Sequence, residues 1–347
     1  MSKLLEISIE KKEDSETRLV CLGIESTAHT FGVSIVESKG RTFNILSDAK
    51  EIYRPEEGKG IHPREASKHH AQKAASIILR ALNESGLSLV DVDAIAFSQG
   101  PGLGPCLRIG AVVARTLSAY YQKPLIPVNH AVAHIELAKI LTGAIDPLVL
   151  LVSGGHTVIV ALSFGRWRIL GETLDITIGQ LIDQFGREAG YSSPFGREFE
   201  QISCKSTNYI DLPYTVKGND VSFSGLLTAA KKLLKEGIAI EDICFSLQET
   251  SFAMLVESVE RALSFTEKKE LLLAGGVAAN KTLQNMLKSM CQIHDSGFLS
   301  IQREYSGDCG AQIALNGLQL FKGGMNIDIS NSSVRQSWRL DEVDVIW

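Results

Sequence analysis

His130 and His134 stand four positions apart in the stretch NHAVAHIE (129–136). Four residues is slightly more than one helical turn, so on a helix the two imidazoles project from one face and can share a metal ion. Asn129 is a suitable N-cap for such a helix. A metal needs further ligands, and the candidate is Asp308 in EYSGDCGAQIALNG (304–317), at a predicted helix start after a glycine turn. Each feature also has a plainer reading: packed or hydrogen-bonded imidazoles, and an aspartate that merely caps a helix. Two neutral imidazoles with one carboxylate suit Fe(II), Zn or Mn with positions left open for substrate. Ala131 stands where a zinc protease carries its general base, which removes the base but not the metal.

A second chemistry is suggested by three apolar runs that end in small residues: IEST (24–27), VSGGH (152–156) and AGGVAAN (274–280). Where Cβ is missing, backbone N–H groups can approach phosphate or ribose oxygens, and a following helix N-terminus adds partial positive charge. One Gly-Gly after a strand is usually a turn. Three such loops in one chain point to a nucleotide held in a cleft. The stretch GPGLGPCLRIG (100–110) is denser in Gly and Pro than a turn requires, and either holds the entrance to the next helix or lines the site.

The elements that must position these residues alternate. Runs at 18–27, 31–38, 93–98, 146–156, 157–163 and 270–276 read as strands, and spacing at 63–83, 109–121, 175–190, 240–263 and 278–290 reads as helix. This is an α/β pattern. RLVCLGIEST followed by FGVSIVES is echoed by DPLVLLVSGGH followed by TVIVALS, which suggests an internal duplication and two similar halves. The expected organisation is an N-terminal extension over 1–18, a first lobe over 19–145, a second over 146–325 and a tail over 326–347. Within the second lobe an irregular insertion is expected at about 192–222, and the C-terminal helix or tail can pack back on the first lobe. DEVDVIW reads as a terminal strand or docking arm.

The composition narrows the class. A chain of 347 residues that is 44% hydrophobic can build two cores. Its net charge of −5 supplies no global basic field for nucleic acid, which leaves room for a local patch or a basic partner. Six scattered cysteines without a CxxC pair suit a reducing compartment. The first twenty residues lack the apolar run of a signal peptide or membrane span, so a soluble, cytoplasmic protein is expected.

Together these stretches resemble the universal tRNA threonylcarbamoyladenosine transferase family, formerly called O-sialoglycoprotein endopeptidases. The resemblance covers residues 19–347 through LGIESTAHTFGVSIV, GIHPREASKHH, GPGLGPCLRIG, VNHAVAHIE, VSGGHT, GETLDITIG, VSFSGLLTAA, SLQETSFAMLVE, AGGVAANKTL and SGDCGAQIA. GPGLGPCLR, STAHTFGV and the tail VRQSWRLDEVDVIW resemble the archaeal and eukaryotic branch, which works within the KEOPS complex. The resemblance implies the duplicated actin/Hsp70/sugar-kinase fold. It also implies transfer of a threonylcarbamoyl group from its adenylate to N6 of the adenosine beside the anticodon, in tRNAs reading codons that begin with A.

Carried over residue by residue, His130, His134 and Asp308 match the metal ligands and catalytic centre. Leu151, Val152, Ser153, Gly154 and Gly155 match the phosphate-side loop, Asp183 and Glu200 the carboxylates near ribose and base, Gly196 a close backbone approach, and Gly275, Gly276 and Asn280 further adenylate contacts. The implied cofactor is one divalent metal, Fe(II) by resemblance with Zn, Mn or Mg as alternatives, beside an adenine nucleotide such as threonylcarbamoyl-AMP, ATP or AMP. The implied partners are tRNA, a small Bud-type kinase, a Pcc-type dimerising subunit docking on an N-lobe helix pair, and a Cgi-type activator. KKLLK (231–235), Arg187, Arg197, Arg335 and Arg339 could form a modest phosphate-contacting surface.

Two positions depart from the family. Leu151 stands where archaeal members commonly offer a tyrosine to the metal, and Phe195 where the family usually has glycine. His69 and His70 are adjacent on a predicted helix and diverge by about 100°, which favours packing or interface roles. His29 and His156 sit in matching loops and are expected to be structural or to support the metal ligands. The rivals are a metalloprotease, a kinase of the same superfold, and a non-catalytic nucleotide-binding subunit.

Overall fold

The computed structural model describes residues 17–56 and 59–347. Most of the expected N-terminal extension falls outside the described residues. β1 (Arg18–Glu25), β2 (Thr30–Lys39) and β3 (Thr42–Ile52) form an antiparallel meander. After α1 (Pro63–Ser85), β4 (Ala94–Gly100) joins the other side of β1 in parallel, and after α2 (Gly104–Tyr121), β5 (Leu125–Asn129) joins β4. The sheet order is β3-β2-β1-β4-β5, and α3 (His130–Thr142) leaves directly from β5.

The same sequence of events then repeats. β6 (Leu148–Val152), β7 (Thr157–Ser163) and β8 (Arg166–Glu172) form a second antiparallel meander. A longer excursion follows: α4 (Ile178–Glu188), α5 (Gly196–Ser203), the short hairpin β9 (Val216–Lys217) and β10 (Asp220–Val221), α6 (Ser224–Lys235) and α7 (Ile240–Thr266). β11 (Glu270–Ala274), α8 (Lys281–Ile293) and β12 (Gly297–Ser300) then complete the order β12-β11-β6-β7-β8, with β11 and β12 parallel. Short α9 (Arg303–Ser306) and α10 (Gly310–Lys322) close the repeat. Read from the meander inward, both sheets have one topology, so the duplication suggested by the paired apolar runs is present in the fold.

Three cores hold these layers together. One lies between the first sheet and α1 and α2, around Leu22, Phe31, Ile77 and Phe97. Another lies between the second sheet and α4 to α8, around Leu150, Phe185, Phe252 and Leu273. The third lies between the two sheets and is filled by α3 and α10. Because both faces of each sheet are covered, β4 and β6 are buried at every position and read as continuous apolar runs. Every residue from His130 to Ala138 and from Gly310 to Leu320 is buried, which is the mark of central helices, not surface ones.

α3 packs on β6, β11 and β12 as well as on its own strands, whereas α10 packs on β1, β2 and β4 of the first sheet. Small residues make the second contact possible. A methyl group at Gly23 would overlap the backbone of Ala314, and one at Gly310 would overlap the backbone at Ser34.

Several boundaries differ from the sequence reading, each for a local reason. α2 starts at Gly104, five residues before Ile109, because Pro105 in the first turn presets the helical φ and its missing N–H costs nothing there. Part of the expected irregular insertion is helical, since Phe195, Phe199 and Ile202 share one face that joins the core of the second lobe. DEVDVIW forms no strand; it makes a single 3-10 turn and then docks on the second lobe through Val345 N–H to Gly165 O, 2.8 Å.

Gly23→Val is expected to destabilise the chain by about 2–4 kcal/mol, since backbone on both sides must shift to admit the side chain. Denaturant unfolding measures this, and a change below about 0.5 kcal/mol would show that α10 does not lie hard against β1.

Candidate active site

The N-terminal ends of the two central helices meet between the lobes. Asn129 ends β5 and caps α3, its Oδ1 accepting from the N–H groups of Ala131 and Val132 at 3.0 and 3.2 Å. His130 and His134 then rise from adjacent turns, with ring centroids 4.6 Å apart. Asp308, two residues before α10, reaches back so that its Oδ1 lies 3.2 Å from His134 Nε2 and 3.6 Å from His130 Nε2. One ligand atom from each of the three residues falls within 4.8 Å of the others, the one such cluster among the described residues.

The helix cap at α10 is Cys309, so Asp308 is not spent on capping and its carboxylate faces the histidines. The aspartate is thus directed at the imidazoles and does not cap the helix, and the imidazoles are paired with its carboxylate.

Glu25, at the end of β1, supplies what sequence reasoning missed. Its fully buried carboxylate lies 2.9 Å from His130 Nδ1, and its other oxygen accepts from Thr27 N–H and Oγ1–H. With one proton held on Nδ1 by Glu25, Nε2 is the nitrogen that would lose its proton and turn a lone pair on a metal. IEST was read as a nucleotide loop, but Glu25, Ser26 and Thr27 are buried, and Glu25 and Thr27 face the imidazole. The available signal was an acidic residue ending an otherwise apolar strand.

Burial disfavours the cationic form of His130, yet the charge and hydrogen bond of Glu25, with Asp308 behind, outweigh it and lift its pKa to about 9. Burial keeps His134 below its ordinary value in spite of the hydrogen bond to Asp308. Burial would likewise favour a protonated Asp308, but His134 and the charge of His130 hold its carboxyl far below the usual range. His156 completes the wall. Burial, then His130 and His134, push its pKa down to about 3, so it is neutral, and its buried Nδ1 has no partner among the described residues. The donor set and this orphaned nitrogen fit a divalent cation with a further polar ligand.

The residues expected on the phosphate side sit at the C-terminal ends of β6 and β11. Ser153 Oγ accepts from the N–H groups of Gly155 and His156, closing a tight turn. A Cβ at Gly154 or Gly155 would meet nothing within 4 Å, so this loop faces open space. Gly179, in the first turn of α4, packs on Ser153 and Gly154 too closely for a side chain. Gly275 has φ +94° and presses on the Val152 carbonyl, while Gly276 opens to space.

Asn280 caps α8 by accepting from Leu283 N–H and bonds Gln248, and Glu200 accepts from Lys281 N–H at 2.6 Å. Asp183 accepts from Phe195 N–H at 2.8 Å, and burial raises its pKa. Gly196 opens α5 with free space beside it. Leu151 and Val152 are fully buried, their side chains on opposite faces of β6, so neither side chain reaches a ligand. Phe195 is accommodated because its ring lies over Gly186, where no Cβ competes. The GPGLG loop does not face the cleft openly: the tail covers it, with Gly102 N–H donating to Gln336 O and Leu103 N–H to Thr27 O.

A duplicated pair of five-stranded sheets with crossing central helices defines the two-lobed, actin-like class. HypF from T. kodakarensis shares it with a TM-score of 0.63 at 14% identity, over 88% of this chain and 48% of HypF. The activator of the 2-hydroxyisocaproyl-CoA dehydratase from Clostridium difficile does so with a TM-score of 0.52 at 13% identity, over 90% of this chain and 100% of that one. At such identities the likeness is one of fold. Residues 43–315 match the family model for TsaD, tRNA N6-adenosine threonylcarbamoyltransferase.

Relatives of that name from Staphylothermus marinus and Caldivirga maquilingensis are 51% and 49% identical, covering 94% and 95% of this chain and 99% and 98% of their own. A probable bifunctional tRNA threonylcarbamoyladenosine biosynthesis protein from Methanothermobacter thermautotrophicus is 48% identical over 95% of this chain and 61% of its own length. The chain belongs to the tRNA N6-adenosine threonylcarbamoyltransferase family.

Metal-stripped protein titrated with Co(II) is expected to take up one ion per chain with His134→Ala abolishing uptake, and Glu25→Ala is expected to weaken it by about ten- to a hundredfold. Retention of full Co(II) affinity by His134→Ala would remove the triad as a metal site.

Proposed function

We propose that the chain transfers a threonylcarbamoyl group from threonylcarbamoyl-AMP to N6 of the adenosine at position 37, beside the anticodon, in tRNAs reading codons that begin with A, releasing AMP. The observation that carries this reading is the meeting of His130, His134 and Asp308 opposite the open Ser153–Gly155 turn, in a chain of this family. A divalent cation held by those three residues would polarise the acyl phosphate or carbamoyl oxygen.

The chain's own residues do the rest. Glu25 fixes the His130 ring so that Nε2 faces the cleft. The Gly154–Gly155 turn admits phosphate against backbone N–H groups, with the N-terminus of α4 behind it. Asp183, Glu200 and Asn280 stand on the ribose and base side. The adenylate is already activated, so the site need only orient the incoming amine, stabilise developing negative charge and exclude water. The amine nitrogen bonds to the carbamoyl carbon, the bond from that carbon to the phosphate oxygen breaks, and AMP leaves with the electron pair as the amine gives up a proton. No Ser or Cys nucleophile is required.

The same reading places the chain in a KEOPS-type assembly with a Bud-type kinase, a Pcc-type subunit and a Cgi-type activator. α1 and α2 offer exposed Leu79, Val112 and Tyr120 as the docking face for the Pcc-type partner. Partners supply much of the tRNA grip, since the chain's net charge is −5. Among the described residues no helix is long and apolar enough to cross a membrane.

The test is nucleoside mass analysis of unmodified tRNA incubated with the protein, its partner subunits and threonylcarbamoyl adenylate. Asp308→Ala is expected to lower the modified nucleoside by about a hundredfold or more. An undiminished peak would take Asp308 out of the mechanism.

A further inference from the structure

The tail after α10 is a strap laid over both lobes and over the root of α3. It starts on the first lobe, where Ile327 N–H bonds Leu125 O at 3.0 Å and Arg115 Nε bonds Ser332 Oγ at 2.6 Å. It then runs along the GPGLG loop. Gln99 Nε2 donates to Ser333 O, Arg335 N–H to Gln99 O, and Gly102 N–H to Gln336 O, at 2.9, 2.8 and 3.1 Å. The glycines of this loop make room for it: a methyl group at Gly100 would overlap the Arg335 carbonyl, and one at Gly104 the Gln336 amide. Farther on, the strap ties to the second lobe through Arg339–Glu172, Asp344–Arg166 and Val345–Gly165.

Between these two anchorages it touches one buried side chain that matters to the centre. Asn129 is 1% exposed, and its amide serves two masters. Oδ1 caps α3, whereas Nδ2 donates to Trp338 O at 3.2 Å, with Arg339 O at 3.5 Å. A planar amide fixed at one end is fixed at the other, so the strap carbonyls set the angle at which the cap meets the first turn of α3. His130 and His134 stand on that turn and the next. A second route reaches the same ring: the strap holds the 99–104 loop, Leu103 N–H bonds Thr27 O, and Thr27 bonds the Glu25 carboxylate that holds His130.

We propose that the strap is a positioning element for the imidazole pair and that Asn129 is the positioning residue through which it acts. A docked strap holds α3 in register with Asp308, and a detached strap loosens the helix that carries both imidazoles.

Asn129→Ser isolates the link, because a serine hydroxyl still caps a helix but is too short to reach Trp338 O while it accepts from α3. A chain ending at Asn331 removes the strap beyond its first anchorage at Ile327, and the double variant combines the two. Amide hydrogen exchange in metal-free protein is read at Ala131 and Val132, with Leu283 as internal control, since Asn280 caps α8 in the same way beyond the strap's reach. Each single variant is expected to speed exchange at Ala131 and Val132 by about tenfold, with Leu283 unchanged and the double variant no faster than the truncated chain.

Unchanged exchange at Ala131 and Val132 in the truncated chain would overturn the proposal, as would an equal rise at Leu283, which marks general loosening. Co(II) affinity is the second readout and rests on the metal reading above: about tenfold weakening is expected in both variants. Full affinity alongside faster exchange would overturn the claim that the strap positions the pair, whereas a parent protein that takes no Co(II) would fail the metal reading alone and leave exchange to decide.

Discussion

The centre of the molecule is held by two helices that cross between the sheets, each belonging in sequence to one lobe. α10 packs on the sheet of the other lobe, and α3 on the other lobe's sheet as well as its own strands. Their N-terminal ends therefore converge on one spot, and the field there is positive, since both helix dipoles point at it. Such a spot favours anionic groups and disfavours a cation. Two carboxylates, Glu25 and Asp308, stand against the imidazoles and reverse that bias locally.

Much of this was legible in the sequence. Paired apolar runs gave the duplicated sheets because both faces of each sheet are covered and the strands need no alternation. Four-residue spacing put the histidines on one helical face. Asp308 could be offered only as one of two readings, since an aspartate near a helix start looks alike in sequence whether it caps or faces a neighbour. The deciding fact is that Cys309 occupies the cap, which depends on where the helix begins.

What the sequence hid was mostly reciprocal packing. Glu25 looked like the end of a nucleotide loop, because nothing local says that a residue 105 positions along the chain needs its carboxylate. The glycines at 100 and 104 looked like turn or ligand residues, whereas they clear space for a tail that arrives from the far end of the chain. Phe195 is a similar case. It departs from the family's usual glycine, and the space its ring takes is vacated by Gly186 on the facing helix, a compensation that single positions do not reveal.

The exchange of central helices between lobes bears on how the protein can move. In a jaw whose halves are joined only at a hinge, the halves swing apart and their inner faces stay intact. Here α10, with Asp308 just before its start, packs on the first sheet and on α3, so the imidazoles and the carboxylate belong to one packed unit. A swing of the second sheet can therefore shift the Ser153–Gly155 turn while the triad stays whole.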